Sequence, residues 1–152
     1  MIMKIFEFLE EKGIKFRKIE LPEPPKSAQD VERLFGCSLH QVLKTLLFIG
    51  QEEPVLVVIQ GDKKVDLKKL EKATNVHNFR MARPDETKEI TGYVVGGVCP
   101  FYLKNKIKKV LDKGIFDTDI INVGAGTQVL GVELKSQDLK KIWNGILADI
   151  SQ

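Results

Sequence analysis

The sequence predicts a mixed α+β domain built around one curved sheet, and three observations carry that prediction. Two apolar runs, Lys44–Gly50 and Pro54–Ile59, are bounded by glycine and turn residues, as buried strands are. Short amphipathic stretches between the runs start on Ser, Asp or Pro and stop on Gly or Asn, which is helix punctuation. The 152 residues contain no repeat, low-complexity tract or linker, so residues 1–152 read as a single domain.

The elements follow in order. Ile2, Ile5, Phe6, Phe8 and Leu9 fall at helical spacing, with Gly13 placed to end the helix. Ile14–Ile19 alternates apolar and polar residues, as a half-buried strand does. Pro22, Pro24 and Pro25 force an extended loop, after which Ser27 caps a helix whose apolar face is Val31, Leu34 and Phe35, stopped by Gly36. Ser38–Gln41 resembles a capping box opening a short helix to about Leu43. The two apolar runs are expected to pair as an antiparallel hairpin through Gly50-Gln51-Glu52-Glu53. Asp66 is expected to cap a helix over Leu67–Ala73, with Asn75 as its left-handed stop. Val76–Met81 suggests a short strand, and Pro84–Thr91 a one- to two-turn helix with acids in its first turn, ended by Gly92. Ile120–Val123 and Val129–Leu134 read as strands. Ser136 is expected to cap a last helix with Leu139, Ile142, Trp143, Ile146 and Leu147 on its apolar face.

Composition narrows the function. The chain is 43% hydrophobic and 30% charged, the balance of a globular protein, and no apolar run is long enough for a membrane span. The start of the chain reads as an amphipathic helix and not as a signal peptide. Cys37 and Cys99 form no CxxC pair, which suits a reducing cytoplasm. A formal net charge of +3 permits a transient polyanionic partner without demanding one.

Few residues could carry chemistry. Gly92–Pro100 reads as a stiff loop. The Gly96-Gly97 pair tolerates φ > 0 and close approach of a ligand, and Pro100 restrains Cys99. Its N–H groups could face an oxyanion, although the same residues also suit a plain strand-end turn. His40 and His77 have no partners at metal-ligand spacing and read as structural. Cys99 is a candidate nucleophile without a histidine placed to activate it, or else a small buried residue. No dinucleotide or Walker glycine pattern is present. Lys44 precedes an almost wholly apolar run, so its ammonium either snorkels to the surface or stands as a fixed cation at a cleft. Lys104, Lys106, Lys108 and Lys109 suit either a solvated charged turn or phosphate contacts.

The ordered set Ser27–Val31, Val42–Phe48, Val57–Leu70, Thr91-Gly92-Tyr93, Gly96–Pro100 and Asn122–Gly126 resembles the YbaK/ProX family over about residues 27–139. These are aminoacyl-tRNA deacylases related to the editing domain inserted in bacterial prolyl-tRNA synthetases. The resemblance implies a mixed, mostly antiparallel sheet curved into a partly open barrel with flanking helices. It implies a free-standing cytoplasmic deacylase that hydrolyses the ester of mischarged tRNA, often tRNA for proline carrying a small wrong amino acid. The implied partners are the acceptor end of aminoacyl-tRNA and a synthetase, with no DNA, membrane, metal or cofactor; the oligomeric state stays open. A non-catalytic module binding tRNA or a synthetase is the alternative. The K-T-L lysine of the family matches Lys44, its G-x-x-x-P loop matches Gly96, Gly97, Val98, Cys99 and Pro100, its later glycine matches Gly126, and an acid matches Asp112. Phe48 and Val95, with Val98 and Cys99, are the expected pocket walls. The chain departs from the family at Cys99, where serine is common, and at Phe101-Tyr102, where a glycine often follows.

Overall fold

The computed structural model describes residues 4–51 and 53–152. The expected contribution of Ile2 to the first helix and of Glu52 to the hairpin turn lie outside these residues. Helix α1 (Lys4–Glu11) buries Ile5, Phe6 and Leu9, and Gly13 adopts φ +69° just beyond it. Strand β1 (Phe16–Glu20) follows, then helix α2 (Ala28–Phe35). The Ser27 Oγ accepts the Asp30 N–H at 3.0 Å, a cap worth about 1 kcal/mol, and Gly36 ends α2 at φ +70°. Ser38–Gln41 does not form a capped helix. Leu39–Gln41 makes one 3-10 turn, Ser38 supplies no side-chain cap, and Leu43 already belongs to a strand.

Strands β2 (Leu43–Ile49) and β3 (Pro54–Gln60) form the expected antiparallel hairpin, with Lys44 opposite Ile59. Helix α3 (Leu67–Thr74) is capped by Asp66 and stopped by Asn75 at φ 58°. The weak strand shrinks to β4 (Arg80–Met81), and α4 (Pro84–Thr91) ends at Gly92 with φ 87°. The basic segment after Pro100 runs into strand β5 (Lys108–Asp112), which lies parallel to β3 at the heart of the sheet. Strands β6 (Ile120–Gly124) and β7 (Leu130–Lys135) pair antiparallel. Helix α5 (Ser136–Ile142) is shorter than its sequence pattern suggests. The chain turns at Gly145, where a Cβ would stand 2.6 Å from the Lys109 carbonyl oxygen, and Ile146–Ala148 becomes β8, parallel to β5.

Two hydrogen-bonded sheets result instead of one. A three-stranded sheet has the order β1-β7-β6 and a five-stranded sheet the order β4-β2-β3-β5-β8. Among the described residues a single parallel bridge, Val42 to Asn122, joins them into a partly open barrel. Within the five-stranded sheet β3 is central and has apolar clusters on both faces. Val55 through Ile59 are therefore wholly inaccessible, which explains their unbroken apolar run. Four of the six strand pairings are antiparallel.

One feature of this topology positions the site. Strand β4 pairs only with Phe48 and Ile49 at the end of β2, and β6 bridges only Val42, the residue just before its start, among the described residues. Between them, no strand pairs with Lys44–Leu46 on that side, among the described residues. The barrel wall has a gap there, one strand edge long.

Candidate active site

The gap is a cavity of about 350 Å³. Its floor is β2, from Leu43 to Leu46, and its far wall is Val123 and Gly124 of β6 with Leu130 and Gly131 of β7. Ser27, Val31 and Phe35 of α2 form one lip. This explains why α2, for all its amphipathic pattern, carries no fully buried residue: part of its apolar face looks into the cavity. The opposite lip is Val95, Gly96 and Val98, with Gln128 beside them.

Lys44 is half-buried at this cavity, and its ammonium has no hydrogen bond or ion pair, among the described residues. Burial holds its ammonium below the usual lysine value, and the charge of Asp62 pulls the other way. Asp62 is in turn fixed by His40, whose Nδ1 lies 3.0 Å from both carboxylate oxygens. The other His40 nitrogen is 2.7 Å from the amide of Gln60, which also donates to Thr118 Oγ1. Both ring nitrogens are thus engaged, so His40 is a structural residue with no nitrogen left to take a proton from water. His77 lies on the surface, 3.9 Å from Glu71.

The Gly92–Pro100 loop is built by tight backbone contacts. The Gly97 N–H donates to the Val94 carbonyl at 2.9 Å, closing a turn whose third residue, Gly96, has φ +87°, the geometry only glycine adopts readily. A Cβ on Gly97 would stand 2.6 Å from the Thr127 carbonyl carbon, and one on Gly124 would stand 2.6 Å from the Val98 oxygen. The two glycines therefore let the loop lie flat on β6 and the turn before β7. The sequence suggests a row of free N–H groups, but Gly97 spends its own inside the turn. The Gly96 and Val98 amides remain without a protein acceptor, among the described residues.

The cavity thus gathers Lys44, Val95, Gly96 and Val98, with Gly97 packed behind them. Gly126, at φ +119°, shapes the turn that carries Gln128 without lining the cavity. Four expected site residues lie elsewhere. Phe48 packs on Phe79 in the second apolar cluster. Pro100 is buried at the end of the loop, away from the cavity lining. Asp112 is wholly inaccessible, and its carboxylate accepts the Ile150 and Gly114 N–H groups at 2.8 and 3.1 Å, which ties down the end of the chain. Cys99 is 2% exposed, and burial pushes its thiol up to about 11. A thiol so placed is neither ionised nor in reach of the cavity, which removes the nucleophile reading.

The sequence does not reveal the α2 lip, Val31 and Phe35, nor Gln128 and Thr45. The Gln128 amide donates to the Val95 carbonyl at 2.9 Å and holds the loop over the gap. Thr45 matters through its backbone. Leu47 accepts the Ala82 N–H at 2.9 Å, and the N–H and C=O of alternate residues point to one side of a strand, so those of Thr45 face the open edge. The K-T-L motif contains Thr45, but nothing in it reveals where β4 stops.

The neighbouring hollows differ in character. An apolar annex of about 190 Å³ shares Thr45, Leu46, Val95 and Val98 with the cavity and is closed by Met81, Ala82 and Thr87. A wider hollow of about 810 Å³ outside Val94 and Val95 is lined by Asp85, Lys88, Glu89 and Lys104 and does not include Lys44. Of the basic segment, Lys104 and Lys106 are exposed, Lys108 bonds Glu53 and the Thr74 carbonyl, and Lys109 is buried. No helix is long and apolar enough to cross a membrane, and no group of three or more His, Cys, Asp or Glu converges as a metal set, among the described residues.

Comparison with known proteins gives the family and the fold. Residues 22–142 match the aminoacyl-tRNA editing domain. A protein of Enterococcus faecalis named "Putative Cys-tRNA(Pro)/Cys-tRNA(Cys) deacylase EbsC" is 31% identical over 126 residues, 82% of this chain and 77% of that one. The proline–tRNA ligase of Aquifex aeolicus is 33% identical over 89 residues, 58% of this chain and 16% of the ligase. Two solved structures share the fold. One is described as "hypothetical protein APE2540" (TM-score 0.87, 27% identity, 98% of this chain and 99% of that one). The other is described as "a putative trans-editing enzyme for prolyl tRNA synthetase" (TM-score 0.85, 24% identity, 99% and 96%). With four-fifths of its length matched by the family, the chain belongs to the aminoacyl-tRNA editing domain family.

Proposed function

We propose that the chain is a free-standing aminoacyl-tRNA deacylase, acting in trans on tRNA for proline that carries a small wrong amino acid. The observation that supports this most is a half-buried lysine without a protein counter-ion, on the same cavity as the loop amides of Gly96 and Val98. The Enterococcus relative, similar over most of both chains, points the same way.

An aminoacyl ester is already activated, so water can serve as the nucleophile. Lys44 holds the ester and terminal ribose of the acceptor end by its charge. The oxygen of water adds to the ester carbonyl carbon, and its proton passes to the neighbouring ribose hydroxyl of the substrate. Negative charge gathers on the former carbonyl oxygen, where the Gly96 and Val98 N–H groups meet it. Losing one such donor typically costs about 2.7–4 kcal/mol of barrier. The bond from carbon to ribose oxygen then breaks as the neighbouring hydroxyl, having taken the water proton, hands its own to the departing ribose oxygen, and free amino acid and tRNA leave. Neither His40 nor Cys99 takes part.

The apolar annex receives the amino-acid side chain. Bounded by Leu46, Val95 and Val98, it offers that side chain an apolar lining. An apolar pocket separates ligands differing by one methylene by only about 1–3 kcal/mol, so larger side chains are rejected by size. Lys104 and Lys106 are available to tRNA phosphates, and a synthetase that handles the same tRNA is the natural partner.

A panel of tRNAs charged with alanine, serine, cysteine and proline, incubated with the protein and its Lys44→Ala and Lys44→Arg variants, tests the reading. Release of a small amino acid by the wild type and its loss in Lys44→Ala are expected. Wild-type rates in both variants remove Lys44 from the mechanism, and binding of charged tRNA without release favours a non-catalytic module.

A further inference from the structure

Lys109 is the second residue of β5 and only 9% exposed. Its Nζ lies 4.6 Å from the centroid of the Phe101 ring and 4.5 Å from that of Trp143, so the ammonium is clamped between two aromatic faces. It makes no ion pair with a carboxylate, among the described residues. Burial pushes its value down to about 8, opposed by the neighbouring Cys99. A buried charge without a counter-ion is costly, and a methionine would fill the same slot without that cost.

What the lysine does that methionine cannot is donate. Its Nζ bonds the Pro100 carbonyl oxygen at 2.8 Å. Pro100 is the last residue of the loop that carries the Gly96 and Val98 amides. The backbone of Lys109 is itself immobile, being paired within the sheet and crowded by Gly145. The stretch Val95–Pro100 of the loop is therefore held at both ends: Gln128 grips the Val95 carbonyl, and Lys109 grips the Pro100 carbonyl. Between the two grips stand only a glycine turn and the close contacts of Gly97 and Val98.

We infer that Lys109 is a positioning residue: by holding the Pro100 carbonyl from the rigid centre of the sheet, it sets where the Gly96 and Val98 amides stand over the cavity. Its effect on catalysis rests on the deacylase reading above; its effect on the loop does not. Lys109 touches no reacting atom and acts through four residues of backbone.

Two variants separate position from mere packing. Lys109→Met keeps the filling between the rings and removes the donor, whereas Lys109→Arg keeps a donor and a charge. In Lys109→Met the backbone amide resonances of Gly96, Gly97 and Val98 are expected to shift in a ¹H–¹⁵N spectrum, while those of α3 stay in place. In the same variant kcat is expected to fall roughly ten- to a hundred-fold, the cost of a misplacement of about 1 Å, with KM within about two-fold. Lys109→Arg is expected to recover part of both. Unmoved loop amides in a folded Lys109→Met overturn the inference whatever the activity. Shifted amides with wild-type kcat overturn its catalytic consequence. A wild type that releases no amino acid sinks the deacylase reading, and the amide shifts still decide whether Lys109 places the loop.

Discussion

Two lysines in this protein are removed from water without a carboxylate beside them, and they are solved in opposite ways. Lys109 is closed off: two aromatic rings present their faces to its ammonium and the Pro100 carbonyl accepts a hydrogen bond from it. Lys44 is left open: it lies along β2, feels Asp62 at a distance, and its ammonium has no partner. Burial lowers both, so desolvation alone does not mark a site. What separates them is whether the protein satisfies the charge itself. A cation that the fold has already satisfied serves the fold, and one left unsatisfied at a cavity is the one we propose for the ligand.

The largest effect expected from that contrast is on Lys44. Lys44→Met should lower kcat/KM for deacylation by roughly 10²–10³, the scale of losing one charge-stabilising group. The same variant should melt no lower than the wild type, because removing a desolvated, unpaired ammonium relieves a cost. Activity and thermal denaturation measured together test this; a drop in both would make Lys44 a structural residue like Lys109.

Gly97→Ala should come next. The added methyl meets the Thr127 backbone at 2.6 and 2.8 Å, and backbone cannot swing aside as a side chain can. Overpacking of this kind costs about 1–3 kcal/mol, and lifting the loop should cost roughly ten-fold or more in kcat. Gly13→Ala is the control, since nothing lies within 4 Å of that position: it should leave the rate unchanged and lower only stability.

A smaller effect, of pH on stability, distinguishes the two cations further. Lys109 falls from 10.5 to about 8 on folding, so between those values the unfolded chain holds more protons than the native one. Stability should therefore rise with pH from about 8 upward, by at most about 1.4 kcal/mol per pH unit. Cys99 acts in the opposite sense. Its thiol rises from 9.0 to about 11 on folding, which lowers stability as pH climbs above 9. The clean window is pH 7.5–9, where denaturant unfolding of the wild type should gain stability relative to Lys109→Met. Parallel curves in that window would mean that the ammonium is not desolvated as the ring clamp implies.

Much of this was legible in the residues, and the losses have definite causes. Caps and stops read well because they are local: Ser27, Asp66, Asn75 and Gly92 do what their types suggest. The runs of β2 and β3 read well because a strand covered on both faces must be apolar throughout. Strands β5 and β8 did not. Lys108 and Lys109 give β5 the look of a solvated segment, since a lysine buried between rings cannot be told from an exposed one by type. Trp143, Ile146 and Leu147 continue the helical pattern of α5, but Gly145 must pass against the Lys109 carbonyl, and a tertiary contact ends the helix. In the site, Lys44 and the glycine loop were visible because their chemistry is unusual. Phe48 and Asp112 were misplaced because spacing along the chain does not say which face of a sheet, or which end of a strand, a side chain joins.

The smallest effect expected concerns the two cysteines. Cys37 is half-buried and Cys99 is 2% exposed, with its thiol pushed up to about 11. At pH 8 a thiol-specific reagent should therefore label Cys37 and spare Cys99, because only thiolate reacts and Cys99 supplies almost none. Cys99→Ala should cost about 1 kcal/mol of stability, the loss of one small buried group, with deacylation within two-fold of wild type. Peptide mapping of the labelled protein, followed by a rate measurement on the variant, checks both. Preferential labelling of Cys99, with loss of activity on labelling, would place a reactive thiol where the fold gives it neither water nor a base. It would then be the sulfur, and not the open ammonium of Lys44, that the loop is built to serve.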